Sequence, residues 1–312
     1  MSPSLESAQS AAALRADVRP TVLFMHIPKT GGLTFGDILL REYGRGRFEI
    51  ISGRGPERRE AILRFLETGE PLPPHLVDRD PIQRFLEFPP QRRAELRAIM
   101  GHFSFGLHEA VERPATYVTL IRDPIDRALS SYQHRVVRQR FALGLEEYIR
   151  SERDTAIQNG QVRRIAGLRA RDRPPDAETL ATAKRHIEEH FSVVGLTERF
   201  DESLLLCARA FGWRKLAYRR QNEGRARPRK EDLAPDLLSI LERTNELDRE
   251  LLEFARERFQ RQLEASGIDV ERELGRLRRR NSGYRWFAPR QARTGPDWKR
   301  HPVERAVPPS AR

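Results

Sequence analysis

Near the amino terminus, His26-Ile27-Pro28-Lys29-Thr30-Gly31-Gly32-Leu33-Thr34 places a cation, two hydroxyls and two adjacent glycines where an anion could be held. Adjacent glycines let a backbone approach phosphate oxygens, and the unpaired amides and positive dipole of a following helix attract their charge. Lys29 would add a point charge, and the hydroxyls of Thr30 and Thr34 neutral donors. A turn whose glycines serve geometry alone is the competing reading. The order is not that of a Walker loop, which ends in Gly-Lys-Ser/Thr, because here the lysine precedes the glycines.

A second group lies about ninety residues on, where Arg122 directly follows the β-branched, apolar run Thr116-Tyr117-Val118-Thr119-Leu120-Ile121. A guanidinium at the carboxyl end of a strand can reach the same sheet edge as the Lys29 loop. Asp123 reads as a helix cap and Pro124 as a first-turn residue, not as a magnesium site. Asp123, Arg127, Ser130 and His134 then recur at spacings of three and four, which puts them on one helical face. Arg122 and Ser130 could grip a second phosphate. For Arg127 and His134 taken singly, the preferred reading is an ordinary amphipathic helix with a polar surface.

The elements needed to hold these groups are legible in the pattern. Thr21 to His26 reads as a short buried strand, and Leu33 to Tyr43 carries Leu33, Ile38, Leu39 and Tyr43 on one helical face. Further strands are expected at Ala98–Gly101, Thr116–Ile121 and Ser192–Leu196. Helices are expected from Pro124 to about Arg138 and over Glu146–Arg150, Asp154–Ile165, Ala177–Glu189, Thr197–Ala210 and Leu233–Leu263. Strands alternating with helices predict an α/β fold, a P-loop-like three-layer sandwich whose central, mainly parallel sheet has helices on both faces. Residues 1–19 are expected to be a disordered segment, 20–265 a single domain and 266–312 a carboxyl-terminal tail or flap. The Arg-, Pro- and Gly-rich stretch of about 44–97 reads as an irregular cap with a helical piece near Pro56–Glu67.

With 312 residues, 38% hydrophobic and 33% charged, and a mean hydropathy of −0.67, the chain describes a polar-surfaced globular protein. No run approaches the roughly 20 apolar residues of a membrane span, and no secretory signal is visible, so no stable membrane insertion is expected. The single cysteine, Cys207, lies in an apolar helical run and reads as packing; it excludes an intrachain disulfide and points to the cytoplasm. A net charge of +12 favours anionic partners. Only five of the 57 basic residues are lysines, and the scattered arginines read as solvated surface. With 8% aromatic residues and no basic tract interleaved with aromatics, nucleic acid is not an expected partner. Oligomeric state is not encoded in any visible feature.

His26-Ile-Pro-Lys-Thr-Gly-Gly32, Gly101-His102, Leu120-Ile-Arg-Asp-Pro-Ile-Asp-Arg-Ala-Leu-Ser-Ser-Tyr132 and Val194-Gly-Leu-Thr-Glu-Arg-Phe200 resemble, in order, the membrane-type sulfotransferases related to heparan sulfate 2-O-sulfotransferase. The resemblance runs over roughly residues 21–262. It implies a sulfotransferase that takes the sulfuryl group of 3′-phosphoadenosine-5′-phosphosulfate (PAPS), releases adenosine 3′,5′-bisphosphate and needs no metal. The 5′-phosphosulfate would lie on Lys29, Thr30, Gly31, Gly32, Leu33 and Thr34, and the 3′-phosphate on Arg122 and Ser130. Family members commonly carry Thr-Ser after the paired glycines, where this chain has Leu33-Thr34. The 2-O branch has a His-x-His pair, whereas Met100 stands at the first position here and only His102 carries over.

His102 is then the candidate base for an attacking hydroxyl, with an ordinary pKa near ~6.5; a packing histidine is the alternative. Lys29 would stabilise the leaving oxygen. The acceptor is expected to bear a hydroxyl, as a carbohydrate or glycan does. Arg92, Arg93, Arg97, Arg135 and Arg138 could greet an anionic saccharide, while Arg219, Arg220 and Asn222 could fold over the nucleotide. Trp213, Trp286 and Trp298 read as core or tail anchors. A P-loop-type small-molecule kinase is the alternative enzyme.

Overall fold

The computed structural model describes residues 19–51, 81–139, 142–169, 172–219 and 228–287. The first strand, β1 (Thr21–Met25), is Thr-Val-Leu-Phe-Met with every residue buried. An all-apolar run with no alternation fits only a strand covered on both faces, and β1 is the middle of a five-stranded sheet. The other strands are β2 (Phe48–Ile51), β3 (Ala98–Gly101), β4 (Ala115–Ile121) and β5 (Phe191–Leu196). Their order is β2-β3-β1-β4-β5, and every pairing is parallel. After β1 the chain builds one side of the sheet, then crosses β1 to build the other. The loops leaving β1 and β4 therefore emerge side by side at the carboxyl edge, the crevice in which open α/β sheets bind ligands.

The helices, in chain order, are α1 (Gly32–Tyr43), α2 (Pro81–Leu86), α3 (Pro90–Glu95), α4 (Pro124–Gln139), α5 (Leu145–Arg150) and α6 (Gly160–Ile165). They continue with α7 (Ala177–His190), α8 (Phe200–Phe211), α9 (Pro235–Arg243), α10 (Glu246–Ala265) and α11 (Val270–Phe287). Helix α7 opens on a capping box in which Asp176 and Thr179 satisfy each other's backbone amides. One core joins the sheet to α1, α8 and α10. A smaller one, with Ile125, Leu129, Tyr148, Ile157 and Leu241, lies among α4, α5 and α9.

Four sequence expectations change. The supposed irregular stretch contains β2, an edge strand too short and too mixed, Phe-Glu-Ile-Ile, to stand out, together with α2 and α3. The helical piece near Pro56–Glu67 lies outside the described residues. The single helix expected over Leu233–Leu263 is two, broken at Thr244-Asn245, where Asn245 is buried and donates through Nδ2 to Leu241 O at 3.0 Å. Asp154–Ile165 is likewise interrupted: a 3-10 turn spans Thr155–Ile157, and Asn159 takes φ 46° before α6 begins. Finally, α11 occupies residues assigned to a tail. It packs on α8 through a buried Leu277, and Asn281 accepts the Tyr218 amide at 2.8 Å. Residues 1–18 and 288–312 lie outside the described residues, and with them Trp298.

Cys207 is buried, and burial pushes its thiol far up, so it is inert packing. Trp213 is also core: its ring meets Phe35 edge-on, and Nε1 donates to the Tyr43 hydroxyl at 3.0 Å. In the smaller core, the Asp154 carboxylate accepts from Arg135 Nε at 3.0 Å and from the Tyr148 hydroxyl at 2.6 Å. Burial works to raise that carboxyl, but Arg135 and the Tyr148 hydroxyl outweigh it and hold it below the usual carboxylate range. A lowered folded pKa contributes stability in full above the unfolded value of about 3.9 and loses it as pH falls through the folded value. Asp154→Asn should therefore be less stable than the unmodified protein at pH 7. In urea unfolding followed from pH 7 downward, that difference should shrink only below about pH 4.

Candidate active site

The loop after β1 turns on two left-handed residues, Lys29 at φ 74° and Gly31 at φ 89°. Gly31 is the N-cap of α1, and no side chain caps that end. The first-turn amides of Gly32, Leu33 and Thr34 thus lack the side-chain acceptor that an N-cap Ser, Thr or Asp would give them, and they sit at the positive pole of the helix. Thr30 is fully buried, and its hydroxyl donates to Ile27 O at 2.9 Å. It closes the loop from within, which leaves its backbone as the part able to meet a ligand. Leu33 is half-buried and Thr34 nearly buried.

Gly32 is required by close approach. A Cβ there would lie 2.0 Å from the imidazole of His26, whose ring is stacked between Phe24 and His102. No side chain larger than hydrogen fits without moving that stack.

Loops from three neighbouring strands are bonded together at this edge. Arg122 Nη1 donates to Lys29 O at 3.0 Å, which joins the loop after β4 to the loop after β1. The Thr197 hydroxyl, after β5, lies 3.2 Å from both Thr30 O and Ile121 O. Asp123 caps α4 by accepting the Asp126 amide at 2.9 Å, and its own amide donates to Glu198. Phe200 covers Gly31 from the β5 side and meets Tyr218 edge-on. Lys29 and Arg122 therefore share one rim. Ser130 is half-buried on α4, one turn beyond Arg127.

His102 follows β3 and approaches the rim from the other side. Its ring centroid is 4.5 Å from that of His26, and its Nδ1 is 2.9 Å from His26 O. A carbonyl oxygen only accepts, so Nδ1 carries the proton and Nε2 carries the lone pair of the neutral ring. That tautomer is the one a base needs. Arg164 Nη1 donates to His102 O at 2.5 Å and to Phe103 O at 3.0 Å, fixing the backbone on which the ring sits.

Several arginines are not where their spacing suggested. Arg127 is 2% exposed rather than on the surface, and its Nη2 lies 3.4 Å from the wholly buried Asp248. Asp248 also accepts the amides of Gln161 and Val162, at 3.1 and 2.8 Å. Burial is the largest effect and leaves that carboxyl above the usual range, although Arg127 and the two amides pull it down. With every partner a donor, it is the carboxylate that the site holds at neutral pH. Of the arginines expected to meet an acceptor, Arg92 binds Gly46 O and Glu49, Arg93 binds Leu86 O and Phe88 O, Arg97 binds Ala94 O and Leu96 O, and Arg135 binds Asp154. All are tied into the protein. Arg219 is exposed, whereas Arg220, Asn222 and the side chains of Arg138 and Trp286 lie outside the described residues. His134 is exposed, as a surface position should be. Among the described residues, no three His, Cys, Asp or Glu side chains are grouped to hold a metal ion.

Residue pattern alone assigns no role to His26, Gln161 or Arg164. His26 stood inside the glycine motif, but only the space above Gly32 shows what its ring does. Gln161 and Arg164 carry no local signature at all.

The profile of the sulfotransferase family matches residues 14–255. Galactose-3-O-sulfotransferase 3 of Bos taurus is 28% identical over 282 residues, which cover 83% of this chain and 61% of that protein. The chain thus spans less than two thirds of this relative's length. A solved sulfotransferase from Alicyclobacillus acidocaldarius superposes with a TM-score of 0.39 at 18% identity, covering 80% of this chain and 99% of that one.

Gly32→Ala tests the packing of the loop. Because the His26 ring is wedged between two others, the added methyl should lower unfolding free energy by about 1–3 kcal/mol in a denaturant titration. Gly46→Ala, where nothing lies within 4 Å of the new methyl, should not.

Proposed function

The chain belongs to the sulfotransferase family, and we propose that it acts as a sulfotransferase that moves the sulfuryl group of PAPS to a carbohydrate hydroxyl, with His102 as the base. The observation that carries this reading is the hydrogen bond from Arg122 to Lys29 O, which brings two cationic loops to one rim. PAPS is charged at both ends of its ribose. The uncapped end of α1 with Lys29 suits the 5′-phosphosulfate, and Arg122 with Ser130 suits the 3′-phosphate.

PAPS supplies a sulfuryl group whose bond to a phosphate oxygen breaks as its bond to the acceptor oxygen forms. Transfer of this kind passes through a loose transition state, so positioning and charge stabilisation carry most of the catalysis. His102 Nε2 takes the acceptor proton, because Nδ1 is committed to His26 O. Lys29 and the amides of Gly31, Gly32, Leu33 and Thr34 meet the charge that grows on the phosphate side. Thr30 holds the loop's shape and offers its backbone. The name of the bovine relative, which acts on galactose, supports a sugar hydroxyl as acceptor. Among the described residues, no helix is long and apolar enough to cross a membrane.

Adenosine 3′,5′-bisphosphate at 100 times its Kd should stabilise the protein by about 2.7 kcal/mol in thermal unfolding. The shift should need no magnesium and should exceed that of ATP with magnesium. Arg122→Met should abolish most of it. His102→Ala should keep the shift and lose sulfate transfer from labelled PAPS to a galactose-terminated oligosaccharide by 100-fold or more, on the order expected for a general base. Undiminished transfer would reject His102 as the base, and an unshifted unfolding curve would reject the nucleotide site.

A further inference from the structure

Helix α6 is six residues long and lies behind the rim, yet it holds both halves of the proposed site. Gln161 is fully buried, and its side-chain amide grips the backbone of Arg122 from both sides. Oε1 accepts the Arg122 amide at 3.0 Å, and Nε2 donates to Arg122 O at 2.9 Å. This imitates a strand pairing at the point where β4 has ended, so the residue that must aim a guanidinium does not fray. Three residues later, one turn along the same helix, Arg164 bonds the carbonyls of His102 and Phe103. Helix α6 is itself fixed, since Asp248 takes the amides of Gln161 and Val162, and Asn159 Oδ1 accepts the Asp248 amide at 3.0 Å.

We propose that Gln161 and Arg164 are positioning residues, Gln161 setting Arg122 for the 3′-phosphate of the donor and Arg164 setting His102 for the proton of the acceptor. Neither touches substrate. They act through the backbone of the residue each one holds, and because both sit on one short helix, the nucleotide end and the proton-accepting end keep a constant separation. A misplacement of about 1 Å at a reacting group costs on the order of 100-fold in rate, so such a strut matters to catalysis although it lies outside the cleft. The inference rests on the nucleotide reading above.

The test reads each half separately. Gln161→Met keeps length and shape but removes both hydrogen bonds; Gln161→Asn keeps the amide but is too short to reach, and serves should the first variant fold poorly. Either should weaken adenosine 3′,5′-bisphosphate binding about tenfold in calorimetry, at a temperature where thermal unfolding shows the variant folded. Arg164→Gln should leave that affinity within about twofold. Its effect should appear in nitrogen-15 spectra of the imidazoles. There, His102 should change from one tautomer, protonated at Nδ1, to a mixture of two, and Arg164→Lys, which keeps a donor, should restore the single form. Unchanged nucleotide affinity in the folded Gln161 variants, or an unchanged His102 tautomer in Arg164→Gln, overturns the proposal. Failure of the unmodified protein to bind the bisphosphate would instead remove the nucleotide reading itself, and this inference with it.

Discussion

A buried carboxylate organises everything behind the site. Asp248 reaches out of α10 into the buried interior, where it binds Arg127 from α4 and the first amides of α6. Burying one charge alone is severely unfavourable, so the carboxylate and the guanidinium are stable there only together and only with their hydrogen bonds complete. Three helices distant in sequence thus share one constraint on their relative placement. Remove it, and α6 loses the anchor of its first turn, which leaves the placement of Gln161 on Arg122 and of Arg164 on His102 to the packing of Val162 and Ile165 in the core.

The sheet supplies the other half of the geometry. Parallel order puts all carboxyl ends on one edge, and the crossing at β1 makes neighbours of loops that lie some ninety residues apart in sequence. Hydrogen bonds among the Lys29, Arg122 and Thr197 segments then tie those loops to one another. The proposed anion site would thus be held by its own hydrogen bonds, which is the condition under which fixed amides and cations stabilise charge most effectively.

What could be read from the sequence follows a physical division. β1, β4 and β5 were legible because strands buried on both faces run β-branched and apolar with little alternation, whereas the paired glycines after β1 could be read as an anion loop or as a plain turn. Edge strand β2 was not, since half of it faces solvent and it carries Glu49. The break between α9 and α10 was hidden because Thr244 and Asn245 satisfy the last carbonyls of α9 through their own side chains, so no glycine or proline marks it. Arg127 was misread for a related reason. At its spacing it looks like any arginine on an amphipathic helix, and only the arrival of Asp248, 121 positions later, makes that face an interior. Local pattern reports which side of a helix is apolar; it does not report which polar group will be matched across the fold.

The same matching explains why many arginines of a protein of net charge +12 do not by themselves mark an anion site. Arg127 is cancelled by Asp248, Arg135 by Asp154, and Arg92 by Glu49, while Arg93 and Arg97 are spent on backbone carbonyls. These side chains knit the helices together. Lys29 and Arg122 differ in address: they stand at the end of β strands, beside an uncapped helix, with the dipole adding to their charge instead of opposing it. The number of arginines thus says little about where an anion binds. In the proposed function position at the sheet edge would decide it, with the buried pairs behind that edge keeping the position constant.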